Sequence, residues 1–249
     1  MEIIHMGIFN MDSKFMRFMI KFADMMIINI LVLICSIPVI TIGPAITAGY
    51  YVALKEVRDE EGYIVKGFFK SFKANFKQGV IVTIIIGAVA TFIAYEVYTV
   101  YKWACMDNTP EYARLVFGAV VGLAILVMMT ILYLFPLMAR FYNTVPNYFK
   151  NSIMLGIKNF PASILMIIIV IFMLYMTVVN KTLILFTTGG AIYLNSLIMV
   201  KIFDKLMPKE EVEEDEYPDV EEEPQRVVIT LENMGLSEAD ISGDKADKN

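Results

Sequence analysis

The sequence predicts an all-α, polytopic membrane helical bundle with four strong spans, an N-terminal hairpin that is Pro/Gly-broken or re-entrant, and amphipathic interfacial helices. Three observations predict it. Hydrophobic residues make up 57% of the 249, and the mean hydropathy is +0.62, beyond the range of ordinary globular chains. Apolar runs free of ionised residues recur at bilayer length, as from Gly79 to Glu96. Short stretches just before such runs sort lysine from phenylalanine by helical face, the pattern of a helix lying among headgroups.

Residues 11–22 open the series. Lys14, Arg17 and Lys21 recur at i, i+3 and i+7 beside Phe15, Phe18 and Phe22, which predicts an interfacial helix. From Ala23 the chain is apolar to Ile42 apart from Asp24 and Asn29, and then meets Pro38, Gly43 and Pro44. Pro44 suits a helix start and Gly43 the turn before it, so Ala45–Leu54 forms a second apolar piece, short for a span. Arg58, Asp59, Glu60 and Glu61 before Gly62 mark an exposed turn.

The stretch from Lys66 to Gln78 is the clearest of the sorted segments. Lys66, Lys70, Lys73 and Lys77 fall on one stripe at 100° per residue, and Phe68, Phe69, Phe72 and Phe76 gather on another, rings toward the acyl boundary. This is the expected membrane-interface and partner face. Spans follow at Gly79–Tyr101, closed by Tyr95, Tyr98, Tyr101 and Trp103 at an interface, and at Leu115–Pro136. Within the latter, Gly118 and Gly122 have the spacing that lets helices approach closely and are read as packing residues. Ala162–Val179 and Leu183–Phe203 are joined by the tight connector Asn180-Lys181-Thr182 and form an antiparallel hairpin.

Charge sets the orientation. If residues 23–57 form a hairpin with its tip near Pro38–Pro44, 14 of the 17 Lys/Arg in residues 1–208 lie on the cytoplasmic side and both termini with them. The membrane domain is then 1–208. Residues 209–249 carry 4 Lys/Arg against 15 Asp/Glu and form an acidic, disordered cytoplasmic tail. No removable signal peptide is expected. The same layout offers a parallel repeat, an amphipathic stretch ending at Lys21-Phe22, at Lys73-Ala74-Asn75-Phe76 or at Lys158-Asn159-Phe160 and then an apolar hairpin, but the basic, aromatic entry that any hairpin needs on the inner leaflet is the simpler reading of the same pattern.

Little catalytic chemistry is on offer. His5 is the sole histidine, Cys35 and Cys105 form no metal or disulfide pattern, and no phosphate loop or nucleophile elbow occurs. No enzyme, catalytic residue, cofactor, metal or nucleic-acid partner is expected. Asp24, Asn29, Glu96 and Asn195 are the polar residues set in apolar runs, hence the intramembrane candidates, with interhelical hydrogen bonding the competing role for the asparagines.

Ile37-Pro38-Val39-Ile40-Thr41-Ile42-Gly43-Pro44-Ala45, then Glu60-Glu61-Gly62-Tyr63 and Phe68-Phe69-Lys70-Ser71-Phe72-Lys73-Ala74-Asn75-Phe76, resemble the YesL family of bacterial integral membrane proteins, densest over residues 7–80. The resemblance implies a multi-pass protein of the plasma membrane of Gram-positive bacteria. It also implies an accessory role in carbohydrate uptake or its sensing, beside an ABC-type sugar importer or a sensor kinase. The residues themselves suggest a bilayer-embedded accessory protein with a cytoplasmic docking face; the alternative is a small transporter or channel built from repeated helical hairpins. The homo-oligomeric state is left open.

Overall fold

The computed structural model describes residues 14–60, 62–104 and 112–206, and these contain only helices and their connections. Eight α-helices follow one another: α1 (Lys14–Cys35), α2 (Ile42–Val57), α3 (Ile64–Ala74), α4 (Phe76–Ala104), α5 (Tyr112–Arg140), α6 (Val145–Lys158), α7 (Phe160–Val179) and α8 (Ile184–Leu206). Five are long and apolar enough to cross a bilayer: α1, α4, α5, α7 and α8. A multi-pass protein in a lipid bilayer follows. The expected polar loop falls partly, and the acidic tail, Cys105 and His5 wholly, outside the described residues.

Three antiparallel hairpins organise the chain. In the first, Lys21 on α1 meets Asp59 just beyond α2, and at the opposite end the Thr41 hydroxyl donates to the Cys35 carbonyl, 2.6 Å away. Pro38 caps a 3-10 turn at Val39–Thr41, so the tip lies where the Pro/Gly residues place it. The α4/α5 hairpin closes at its base through Gln78, whose amide donates to the Asn143 carbonyl. Thr177 and Thr187, 2.7 Å apart, join α7 to α8.

The linkers between hairpins are the amphipathic helices, and each folds back along its predecessor: α3 against α2, α6 against α5. Each then ends at an asparagine. Asn75 leaves helical geometry (φ −99°, ψ 3°), yet its backbone N–H and its side-chain amide both donate to the Ser71 carbonyl. Asn159 (φ −110°, ψ 43°) repeats this on the Leu155 carbonyl. A local side-chain bond offers the backbone an alternative to the helical ladder, and one residue suffices to turn the chain.

Two expectations are corrected here. The amphipathic stretch 11–22 is not a separate interfacial helix: from Lys14 it runs unbroken into the apolar segment as α1. No proline, glycine or asparagine stands between Lys21 and Met25, so nothing competes with the ladder. The third span also does not stop at Pro136. The helix continues to Arg140, the freed backbone group being tolerated inside a packed bundle.

The core is centred on α2, the one helix of the first hairpin too short to count as a span. Ala45, Ala48, Tyr50, Val52, Ala53 and Leu54 are buried there, against Leu132–Ala139 of α5 and Ile192, Met199 and Phe203 of α8. Its glycines set the spacing. A Cβ on Gly43 would collide with the Gly79 backbone and the Thr83 hydroxyl of α4, and one on Gly79 would lie 2.8 Å from the Pro44 ring. Gly118 and Gly122 behave otherwise: among the described residues a Cβ there meets nothing within 4 Å, so their spacing serves no packing between these helices.

Candidate functional site: a basic helix beside an ion-paired end

Helix α3 displays Lys66, Lys70 and Lys73 to solvent or headgroups, and Lys77 extends the row from the first turn of α4. The phenylalanines divide. Phe68 is fully buried against the bundle and Phe72 is half-buried, whereas Phe69 and Phe76 stay exposed. The rings form a ladder: Phe68 meets Phe69 edge-on at 5.6 Å and stacks on Phe72 at 6.2 Å, and Phe72 meets Phe76 at 5.6 Å across the Asn75 break. Each such pair adds about 0.5–1.5 kcal/mol beyond area burial. Of the four rings expected to enter lipid, Phe68 and Phe72 instead pack on the bundle, because α3 has a protein surface, α2, to bury them against, and only Phe69 and Phe76 stay exposed.

Beside α3 lies an ion-paired cluster that sequence reading missed. Lys21 Nζ donates to Asp59 Oδ1 at 2.7 Å, and Arg58 Nη2 donates to Asp204 Oδ1 at 2.7 Å, with Glu60 3.8 Å away. These bonds tie α1, the α2–α3 turn and α8 together at one end, with the Arg140 guanidinium of α5 within electrostatic reach of Arg58, Glu60 and Asp204. Asp59 adopts a left-handed conformation (φ 55°), which a short polar side chain tolerates. Its hydrogen bond from Lys21 holds the carboxyl below the usual carboxylate range. Glu56 goes the other way: burial, then the nearby Asp24 carboxylate, pushes its carboxyl up. The only sequence signal was the alternation of Arg58 and Asp59 with Lys201, Asp204 and Lys205, and nothing in one sequence shows that such distant residues meet.

The four intramembrane candidates do not form one site. Asp24 is half-buried near Glu56 and Tyr193, at the margin of the ionic cluster. Asn29 is wholly buried and acts as a clip: its Oδ1 accepts from the Gly189 N–H at 2.8 Å and its Nδ2 donates to the Ile184 carbonyl at 3.2 Å. Glycine is required opposite, since a Cβ on Gly189 would stand 2.6 Å from the Asn29 Cβ. Glu96 is half-buried on α4, remote from the others in the chain. Asn195 is 1% exposed, lies beside the Tyr50 hydroxyl, and its Oδ1 accepts no hydrogen bond. The side chain hydrogen-bonds with the Tyr50 hydroxyl, and the unpaired Oδ1 is held at a cost of about 1–3 kcal/mol. Among the described residues, no three His, Cys, Asp or Glu side chains stand together in a metal-binding group.

A family model described as "Protein of unknown function, DUF624" matches residues 25–97. The matched segment takes in most of α1, the tip, the buried α2, the basic α3 and most of α4. No curated protein and no solved structure matches the chain.

Proposed function

We propose that this protein is a non-enzymatic accessory component of a bacterial plasma membrane, docking a partner complex through the basic and aromatic face of α3 at the cytoplasmic surface. The carrying observation is the division of labour along that helix. Phe68 and Phe72 fasten it to the bundle, so Lys66, Lys70, Lys73, Lys77, Phe69 and Phe76 are presented on a fixed support. Arg58 and Lys21, spent on acidic neighbours, brace the turn that leads into α3. Cationic side chains interleaved with exposed aromatic rings suit an acidic protein surface, steering encounter by charge and holding it by ring burial.

The finer identity rests on resemblance. YesL proteins belong to the matched family, and the association of YesL-like chains with carbohydrate import makes an ABC-type sugar importer or a sensor kinase the expected partner. The cytoplasmic acidic tail, residues 209–249, would be a second contact of opposite charge. Co-purification in mild detergent from cells at native expression tests the reading. A defined partner complex should accompany the protein and be lost from a Lys66→Glu, Lys70→Glu, Lys73→Glu, Lys77→Glu variant of unchanged melting temperature. A strictly solitary protein would refute it.

The three hairpins of one sense support a second reading, a small transporter or channel. Proteoliposomes with verified insertion that pass neither sugars nor ions would remove it for those substrates.

A further inference from the structure

A cleft of about 260 Å³ opens where α3 folds back along α2, bounded by the turn that joins them. Lys55 of α2 and Lys66 and Lys70 of α3 line it, against two carboxylates, Glu56 and Glu60. Glu60 lies 3.8 Å from the Arg58 guanidinium, so the balance of the cleft is positive. Lys55 Nζ stands over the Tyr51 ring, 5.3 Å from its centroid, and a ring face leaves the ammonium donors available to an anion. Among the described residues neither Lys55 nor Lys66 is ion-paired.

The end of α8 stands at the same place. Asp204 accepts from Arg58, two residues before Glu60 in the turn, and α8 closes at Leu206. The chain beyond it therefore leaves the bundle on the cleft's side of the membrane, whichever side that is. Of the 14 residues Glu210–Glu223, 10 are acidic and none is basic. At about 3.3–3.6 Å per residue, Glu210 to Glu216 can reach roughly 14 to 35 Å from Leu206, beyond one helix diameter of about 10–12 Å.

We infer that residues 210–216 of the acidic tail lie in this cleft of their own chain, their carboxylates against the Lys55 and Lys66 ammonium groups. The tether decides the occupant. A short one holds its end at an effective concentration of about millimolar, so even exposed ion pairs, weak singly, keep the cleft filled. Occupancy stands apart from the docking role of α3, but its consequence rests on that reading: a partner that takes Lys66 must first displace the tail.

The test is same-chain disulfide trapping in the full-length protein, held in phosphatidylcholine nanodiscs, with Cys35 and Cys105 replaced by alanine and Gly62→Cys paired with Val212→Cys. Gly62 lines the cleft, and a Cβ there meets nothing within 4 Å, so the substitution is benign. The rate of disulfide formation under a mild oxidant reads the local concentration of the tail. Lys55→Gln with Lys66→Gln, at unchanged melting temperature, should slow it about fivefold, the worth of two exposed ion pairs, and about 0.5 M salt should do the same. Should that variant not fold, amide replacement of Glu210, Glu211, Glu213, Glu214, Asp215 and Glu216, all beyond the end of α8, should give the same fall. A rate indifferent to lysines, acids and salt would overturn the inference. So would disulfides joining differently isotope-labelled chains, the mark of a second copy. An equal fall on replacing about a third of the lipid by phosphatidylglycerol would also overturn it, the occupant then being an anionic headgroup. Trapping needs no partner, so this inference and the docking role fail separately.

Discussion

The first hairpin and the α4/α5 hairpin are both apolar, yet their environments are opposite. Helix α2 is surrounded by its neighbours, with Gly43 to Leu54 almost all buried, whereas α4 exposes Ile84, Phe92, Tyr95, Tyr98 and Tyr101, and the outer half of α5 exposes Leu115, Phe117, Leu123 and Ile125. Apolarity does not separate the two, because lipid is as apolar as a protein interior. Side-chain size does. Helix α2 approaches its neighbours through Gly43, Ala45, Ala48, Gly49 and Ala53, while the α4/α5 arm carries bulky residues outward and leaves Gly87, Gly118 and Gly122 unopposed.

The sharpest way to break that contrast is to add side chains to glycines of both kinds. Gly43→Val and Gly189→Val force atoms into the Gly79 backbone and the Asn29 clip, and each should cost about 3 kcal/mol, the upper part of the usual overpacking range. Gly87→Val and Gly118→Val should stay within about 0.5 kcal/mol of the parent, as substitutions away from packed features do. Thermal unfolding in mild detergent reads both. Equal losses at Gly43 and Gly118 would mean that the α4/α5 arm is packed after all.

Next in size is Asn29→Leu, which leaves the Gly189 N–H without its acceptor inside the bundle. A loss of about 1–3 kcal/mol is expected, against near neutrality for Glu96→Gln on the exposed arm. Smallest is the Lys21–Asp59 tie, a largely exposed pair worth about 0.2–1 kcal/mol. Asp59 is depressed below 3.8, so the tie's contribution is complete at neutral pH and vanishes only as pH falls through that lowered value. Glu56, raised above 4.5, has the opposite sign: its contribution is greatest in acid and fades as pH rises from 4.5 through its raised value. Melting temperature should therefore hold or rise slightly on mild acidification and fall below pH 3.8, and Asp59→Asn should remove that last fall. A steady decline from pH 7 downward would contradict both signs.

Much of this fold was legible because it follows from local chemistry. The hairpin tip was marked by Pro38, Gly43 and Pro44, and the α7/α8 connector by Asn180-Lys181-Thr182. The repeated Lys-Asn-Phe ending was visible as a pattern, but its decisive member was not recognised. Two of the three supposed endings contain an asparagine, and only at Asn75 and Asn159 does the helix break; Lys21-Phe22 lacks one and runs straight through. What escaped was what depends on distant partners. Face sorting placed the phenylalanines of α3 on one side without saying that α2 would cover Phe68. The Arg58–Asp204 bond joins residues 146 apart, and the pairing of Asn29 with Gly189 spans 160.

The proposed arrangement sets the lysine row of α3 and the α7/α8 connector on opposite sides of one bilayer. In a background with Cys35 and Cys105 replaced by alanine, single cysteines at Lys73 and Lys181, both exposed, can be challenged with a membrane-impermeant maleimide on intact cells. Lys181→Cys should be labelled at once and Lys73→Cys only after permeabilisation; labelling of Lys73→Cys on intact cells would contradict the arrangement.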